Sequence, residues 1–72
     1  MILSIKMKKN QNGRNYLAVC TVYNDRDLIL NFDNNIIMRL LDISPNQLDK
    51  ILLCDNYINQ DLLLIKNDLK KL

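Results

Sequence analysis

The sequence predicts a small α+β domain: a three-stranded antiparallel β-meander over residues 1–33, then two or three short helices over residues 34–72 packed on one face of the sheet. Three observations lead there. Residues 2–32 hold three apolar-rich runs separated by the turn-forming pairs Asn12-Gly13 and Asn24-Asp25. Residues 36–52 carry apolar side chains at helical spacing on both sides of Ser44-Pro45-Asn46-Gln47, which is a helix-start signal. The chain has 72 residues, enough for one domain, and a chain of that size buries only about 60% of its unfolded surface.

The first strand is expected from Ile2 to Lys8 and the second from Arg14 to Tyr23. Asn12-Gly13 is the pair best able to adopt the positive φ angles of a two-residue type I′ turn. That turn would place Leu3, Ile5 and Met7 opposite Val22, Cys20 and Ala18, an apolar face, and leave Ser4, Lys6, Lys8, Leu17, Val19 and Thr21 on a mixed, half-solvated one. A third strand, Asp27 to Phe32, follows Asn24-Asp25-Arg26. Under that register a three-residue loop keeps Leu28, Leu30 and Phe32 on the apolar face, and a two-residue loop would turn them away from it.

Asp33 or Asn34 is positioned to cap a first helix, Asn34 to Asp42, and Ser44 to cap a second, Pro45 to about Cys54, with Pro45 at its first position and Gln47 completing a capping box. Leu62, Ile65, Leu69 and Leu72 predict a third helix, whose C-terminus Lys70 and Lys71 would complement. Short strands around an Asn59-Gln60-Asp61 turn are the alternative for this last part.

Composition narrows the function classes. The longest uncharged run, Asn15 to Asn24, is ten residues, about half of what spans a membrane, and Met1 to Ile5 is too short for the apolar core of a signal peptide, so a cytoplasmic protein is expected. The chain has no histidine and no glutamate. General acid–base work would therefore fall to aspartate, lysine, tyrosine or cysteine, and the single glycine is committed to a turn, so neither an enzyme nor a phosphate loop is expected. Cys20 and Cys54 stand alone in sequence and read as core thiols, not metal ligands; no metal or cofactor is expected. All eight acids are aspartates, beside eleven asparagines and nine isoleucines, usage that fits an AT-rich genome such as that of a low-GC bacterium or its phage.

Two surfaces carry candidate binding residues. Asp42, Asp49, Asp55 and Asp61 recur every six or seven residues and form a candidate acidic face, able to occupy a basic groove where phosphate would otherwise bind. Lys6, Lys8, Lys9 and Arg14 cluster around the first hairpin; they can track a nucleic-acid backbone with Tyr16 or Tyr23 as stacking platforms, or simply guard a sheet edge. An unpaired edge, on the first or the third strand, can dock another protein or a second copy of the chain.

The segment from Ile36 to Leu52 also resembles the helix-turn-helix pattern of DNA-binding regulators. Ile37, Leu41, Ile43, Leu48 and Ile51 stand where that pattern has apolar residues, while Met38 replaces its usual small residue and Asp42 its usual turn glycine. The resemblance implies that Asn46, Gln47, Asp49 and Lys50 face bases or phosphates, with Lys8 or Arg14 on the backbone. Residues 34–56 nevertheless hold two cations against three aspartates, a net charge of −1, where a DNA reader wants positive charge. The expected function is a small protein-binding module, a phage- or mobile-element-encoded inhibitor of the anti-CRISPR kind or an adaptor of a nucleic-acid-handling complex; a helix-turn-helix regulator is the alternative.

Overall fold

A computed structural model describes residues 3–23, 26–30 and 32–72, and the strands follow the expected meander order. They are β1 (Leu3–Lys9), β2 (Asn15–Tyr23) and β3 (Arg26–Leu30), all antiparallel with β2 at the centre. The expected start of the first strand at Ile2 lies outside the described residues, as do two of the three residues expected to form the second loop, Asn24 and Asp25.

Both hairpin registers differ from expectation by one residue. In the first, Leu3 pairs with Thr21, Ile5 with Val19 and Met7 with Leu17. The cause is the turn. Asn10 N donates to Arg14 O at 2.8 Å, Gly13 N donates to Asn10 O at 3.0 Å, and Gly13 has φ of 78°. This is a type I turn over Asn10–Gly13 followed by a left-handed bulge residue, so one glycine supplies the positive φ and Asn12 is not needed for it. The Asn10 side chain fixes the arrangement by accepting from Asn12 N and Arg14 N at 2.9 and 3.0 Å.

In the second hairpin Tyr23 pairs with Arg26, leaving two residues between the strands, not three, and Val19 faces Leu30. The two differences cancel between β1 and β3. Ile5, Met7 and Leu30 do share the core face as expected, but β2 contributes Leu17, Val19 and Thr21 to it and turns Ala18 and Cys20 outward. Ala18 and Cys20 are still buried, small side chains flanked in register by Lys6, Ser4 and Ile29.

The helices are α1 (Asn34–Leu41), α2 (Pro45–Leu52) and α3 (Lys66–Leu69). Asp33 caps α1 by accepting from Ile36 N at 3.0 Å. Ser44 and Gln47 form the complete capping box on α2, at 3.2 Å from Gln47 N to Ser44 Oγ and 2.7 Å from Ser44 N to Gln47 Oε1. Ile37 and Leu41 of α1, Leu48 and Ile51 of α2, and Leu62 and Leu69 of the C-terminal part pack with Ile5, Met7, Leu17 and Val19 in one core.

The C-terminal part combines the two expectations. After a 3₁₀ turn at Asp55–Tyr57, residues 58–62 run along β1, and only Lys66–Leu69 is helical. Among the described residues no helix is long and apolar enough to cross a membrane.

Candidate functional site

The two edges of the sheet are treated differently, and the difference follows from backbone alternation. Along an antiparallel strand the N–H and C=O of one residue point to the same side, and those of the next residue to the other. Leu62 N donates to Ile5 O at 2.7 Å, Asn59 N to Met7 O at 3.5 Å, and Ile5 N to the Asp61 carboxylate at 3.3 Å. Ile5 and Met7 therefore bond outward to the C-terminal segment, and Ser4, Lys6 and Lys8 bond inward to β2. The outer edge of β1 is thus covered at its middle, at Ile5 and Met7. Asn59, at φ 70°, makes the bend that brings the segment into place, a conformation asparagine tolerates.

Carried across β2, the same alternation sends Val19, Thr21 and Tyr23 toward β3, where they meet Leu30, Leu28 and Arg26. The backbone groups of Asp27 and Ile29 then point away from the sheet. Among the described residues nothing pairs with them. Large apolar side chains that the core does not cover occur on β3 and in the segment that follows it: Leu28, on the core face, is 50% exposed and Ile29, on the outer face, 49%, followed by Phe32 at 39%, Ile36 at 41% and Leu40 at 36%. Ile36 and Leu40, one turn apart, occupy the flank of α1 opposite the one that meets the corner with α2. The open edge and these exposed side chains form the candidate site.

The sequence names β3 as one of two possible edges but does not single out its flanking side chains. One signal was present: Leu28-Ile29-Leu30 is apolar on both sides of the strand, so one large side chain must leave the core.

The corner between α1 and α2 keeps the helix-turn-helix form. Ile37, Leu41, Ile43, Leu48 and Ile51 are all buried, and Asp42 has φ 56° and ψ 51°, the left-handed conformation for which glycine is favoured at a helix end. Asn46, Asp49 and Lys50 are exposed along α2. Gln47 is half-buried and occupied: besides its capping bond, its Nε2 donates to Lys70 O at 2.9 Å. An open hollow of about 390 Å³ beside the corner is lined by Asn35, Met38, Arg39, Asp42, Ile43 and Pro45.

The four aspartates of the acidic face have separate roles. Asp42 accepts from Lys70 Nζ at 2.8 Å, which holds its carboxyl below the usual carboxylate range. Asp55 is lowered likewise, first by the Asn15 amide at 2.9 Å and then by Lys9 at 3.4 Å. Asp61 accepts from the backbone N–H groups of Ile5 and Leu63. Asp49 alone has no ion pair or side-chain hydrogen bond among the described residues.

The basic residues divide as well. Lys6 and Lys8 lie on the outer face of the sheet, with the exposed Tyr16 opposite Lys8. Lys9 reaches Asp55 and Gly13 O, and Arg14 is exposed beside the turn. Among the described residues no group of three or more metal-ligating side chains converges. No family model, curated protein or solved structure matches this chain.

Proposed function

We propose that this is a non-enzymatic protein-binding module that docks on a larger target by strand addition at β3. One observation carries the reading. Among the described residues nothing pairs with the outward N–H and C=O groups of Asp27 and Ile29, on a strand that carries half-exposed Leu28 and leads into exposed Phe32, Ile36 and Leu40, while the chain itself bonds to the other edge of the sheet at Ile5 and Met7. In strand addition the main chain supplies affinity and the flanking side chains supply specificity, and this surface offers both. AT-rich residue usage and the absence of histidine and glutamate favour a stoichiometric inhibitor of the anti-CRISPR kind, or an adaptor, as the form of the module. Of the four aspartates of the acidic face, Asp49 is the one without a partner among the described residues and is available to steer such a target, since Asp42, Asp55 and Asp61 are engaged within the fold.

The test is affinity capture from a bacterial host lysate with the wild-type chain and Ile29→Pro. Proline removes the outward N–H of position 29, together with the isoleucine side chain, and takes away no hydrogen bond to β2. Captured protein is expected to fall to background with the variant while its circular dichroism stays native. Undiminished capture by a folded Ile29→Pro would place binding elsewhere. Asp49→Asn should slow association without changing stability.

A second reading, a DNA-binding regulator, is favoured by the corner geometry, in which Asp42 takes the left-handed conformation and all five apolar positions are buried. Asn46 and Lys50 would meet the DNA. Labelled duplex titrated at about 50 mM and about 200 mM salt decides it: a DNA reader binds at the lower value and loses orders of magnitude at the higher, and Lys50→Ala weakens it. Absence of binding at low salt ends this reading.

A further inference from the structure

We infer that the open β3 edge is self-complementary and that, without a target, a second copy of the chain covers it in a two-fold dimer with Leu28 against Leu28 of the copy. This rests on reading β3 as the docking edge and names its resting occupant.

The register follows from which backbone groups are free. Only Asp27 and Ile29 present N–H and C=O outward within β3, so a hydrogen-bonded pair across the new seam must join one of these to one of these. An antiparallel pairing about Leu28 sets Asp27 opposite Ile29 of the copy, and Ile29 opposite its Asp27. Every outward group on both strands is then used. Centring on Asp27 or on Ile29 instead would pair only one residue of each strand through these groups. The Leu28-centred register joins the two three-stranded sheets into one of six.

The available area fits. Leu28, Ile29, Phe32, Ile36 and Leu40 together expose about 400 Å² per copy, backbone included, from their fractional exposures and roughly 200 Å² for a large residue. A standard interface takes about 800 Å² from each partner, some 57% of it apolar, or about 450 Å². β3 and the segment that follows it thus expose an area close to the apolar share that a standard interface buries. Charge does not oppose it strongly, since the net charge is only +2.

The dimer also has a consequence for function. It sequesters the edge a target would use, so target binding and self-association exclude each other.

Sedimentation equilibrium of the whole chain from about 5 µM to about 1 mM tests the inference. The weight-average mass should climb from 8.5 kDa toward twice that value. Ile29→Pro should weaken association at least about tenfold, because each copy loses a bond to its partner. Register is read by cysteine cross-linking in a Cys20→Ala/Cys54→Ala background. Leu28→Cys should oxidise to a covalent dimer, since facing residues of a non-hydrogen-bonded pair lie about 4.5 Å apart at Cα, and Ile29→Cys should not. A wild-type chain monomeric at 1 mM overturns the inference, as does a dimer that Ile29→Pro leaves intact. Monomeric wild type together with target capture lost in Ile29→Pro refutes the dimer alone; capture unaffected by Ile29→Pro refutes the docking reading itself.

Discussion

Replacing Asp61 by alanine tests the closure of the β1 edge. The carboxylate accepts from Ile5 N at 3.3 Å and from Leu63 N at 3.1 Å, joining the C-terminal segment to a strand whose Ile5 side chain is fully buried. A hydrogen bond to a charged acceptor contributes about 1.5–3 kcal/mol when well formed. The Ile5 bond is long and Asp61 is partly exposed, so about 1 kcal/mol each is appropriate, with about 1 kcal/mol more for leaving the Ile5 N–H without its partner. The expected loss is about 2–3 kcal/mol. That is a large part of the about 4–11 kcal/mol typical of a domain this size. Urea unfolding followed by circular dichroism should show the midpoint falling by about 2 M, at a slope near 1–1.5 kcal/mol per M. Asp61→Asn keeps an acceptor oxygen and should lose about half as much. A loss below about 0.5 kcal/mol for Asp61→Ala would refute the idea that this carboxylate closes the edge.

Three further outcomes are expected. Thr21 is 3% exposed on the core face and its hydroxyl has no partner among the described residues, so Thr21→Val should raise stability by about 1 kcal/mol in the same urea assay. At Gly13, with φ 78°, an added Cβ meets no atom within 4 Å; Gly13→Ala should still cost about 1 kcal/mol from backbone strain alone, and Gly13→Asn less. Asp42 and Asp55 have folded pKa values below the ordinary 3.8, so their contribution is present above that value and is lost as pH falls through the lowered folded values. In urea unfolding across pH 2–6 the wild type should lose stability faster than Asp42→Asn/Asp55→Asn below about pH 4, and the curves should run parallel above about pH 5.

Much of the fold was legible in the sequence because its signals are local. Ser44-Pro45-Asn46-Gln47 specifies a helix start without reference to anything distant, and Asp33 does the same for α1. Strand register is not local in that way. Asn12-Gly13 fits a two-residue turn, but Asn10, two residues earlier, satisfies two backbone N–H groups with one side-chain oxygen and moves the turn by a residue. The apolar pattern could not expose the difference, because β2 is apolar at Leu17, Ala18, Val19 and Cys20 and offers a buried face in either register.

The C-terminal part was ambiguous for a related reason. Its apolar spacing suits a helix, but Leu62 and Leu69 reach the core from a segment that first bridges to β1, and only the position of that strand decides it. The candidate site was partly legible. The sequence offered strands one and three as edges, and only the path of residues 58–62 distinguishes them. The aspartates looked equivalent in sequence; their separate partners, Lys70, Asn15 with Lys9, and the Ile5 amide, depend on tertiary placement.

The proposed docking function requires that the chain cover the β1 edge at Ile5 and Met7 and leave the β3 edge open. Residue-resolved amide hydrogen exchange in dilute protein, near 20 µM, measures it directly. Ile5 N–H, held by Asp61, should be strongly protected, and Ile29 N–H should exchange close to the free-peptide rate. Strong protection of Ile29 under those conditions, or free exchange at Ile5, would contradict the account.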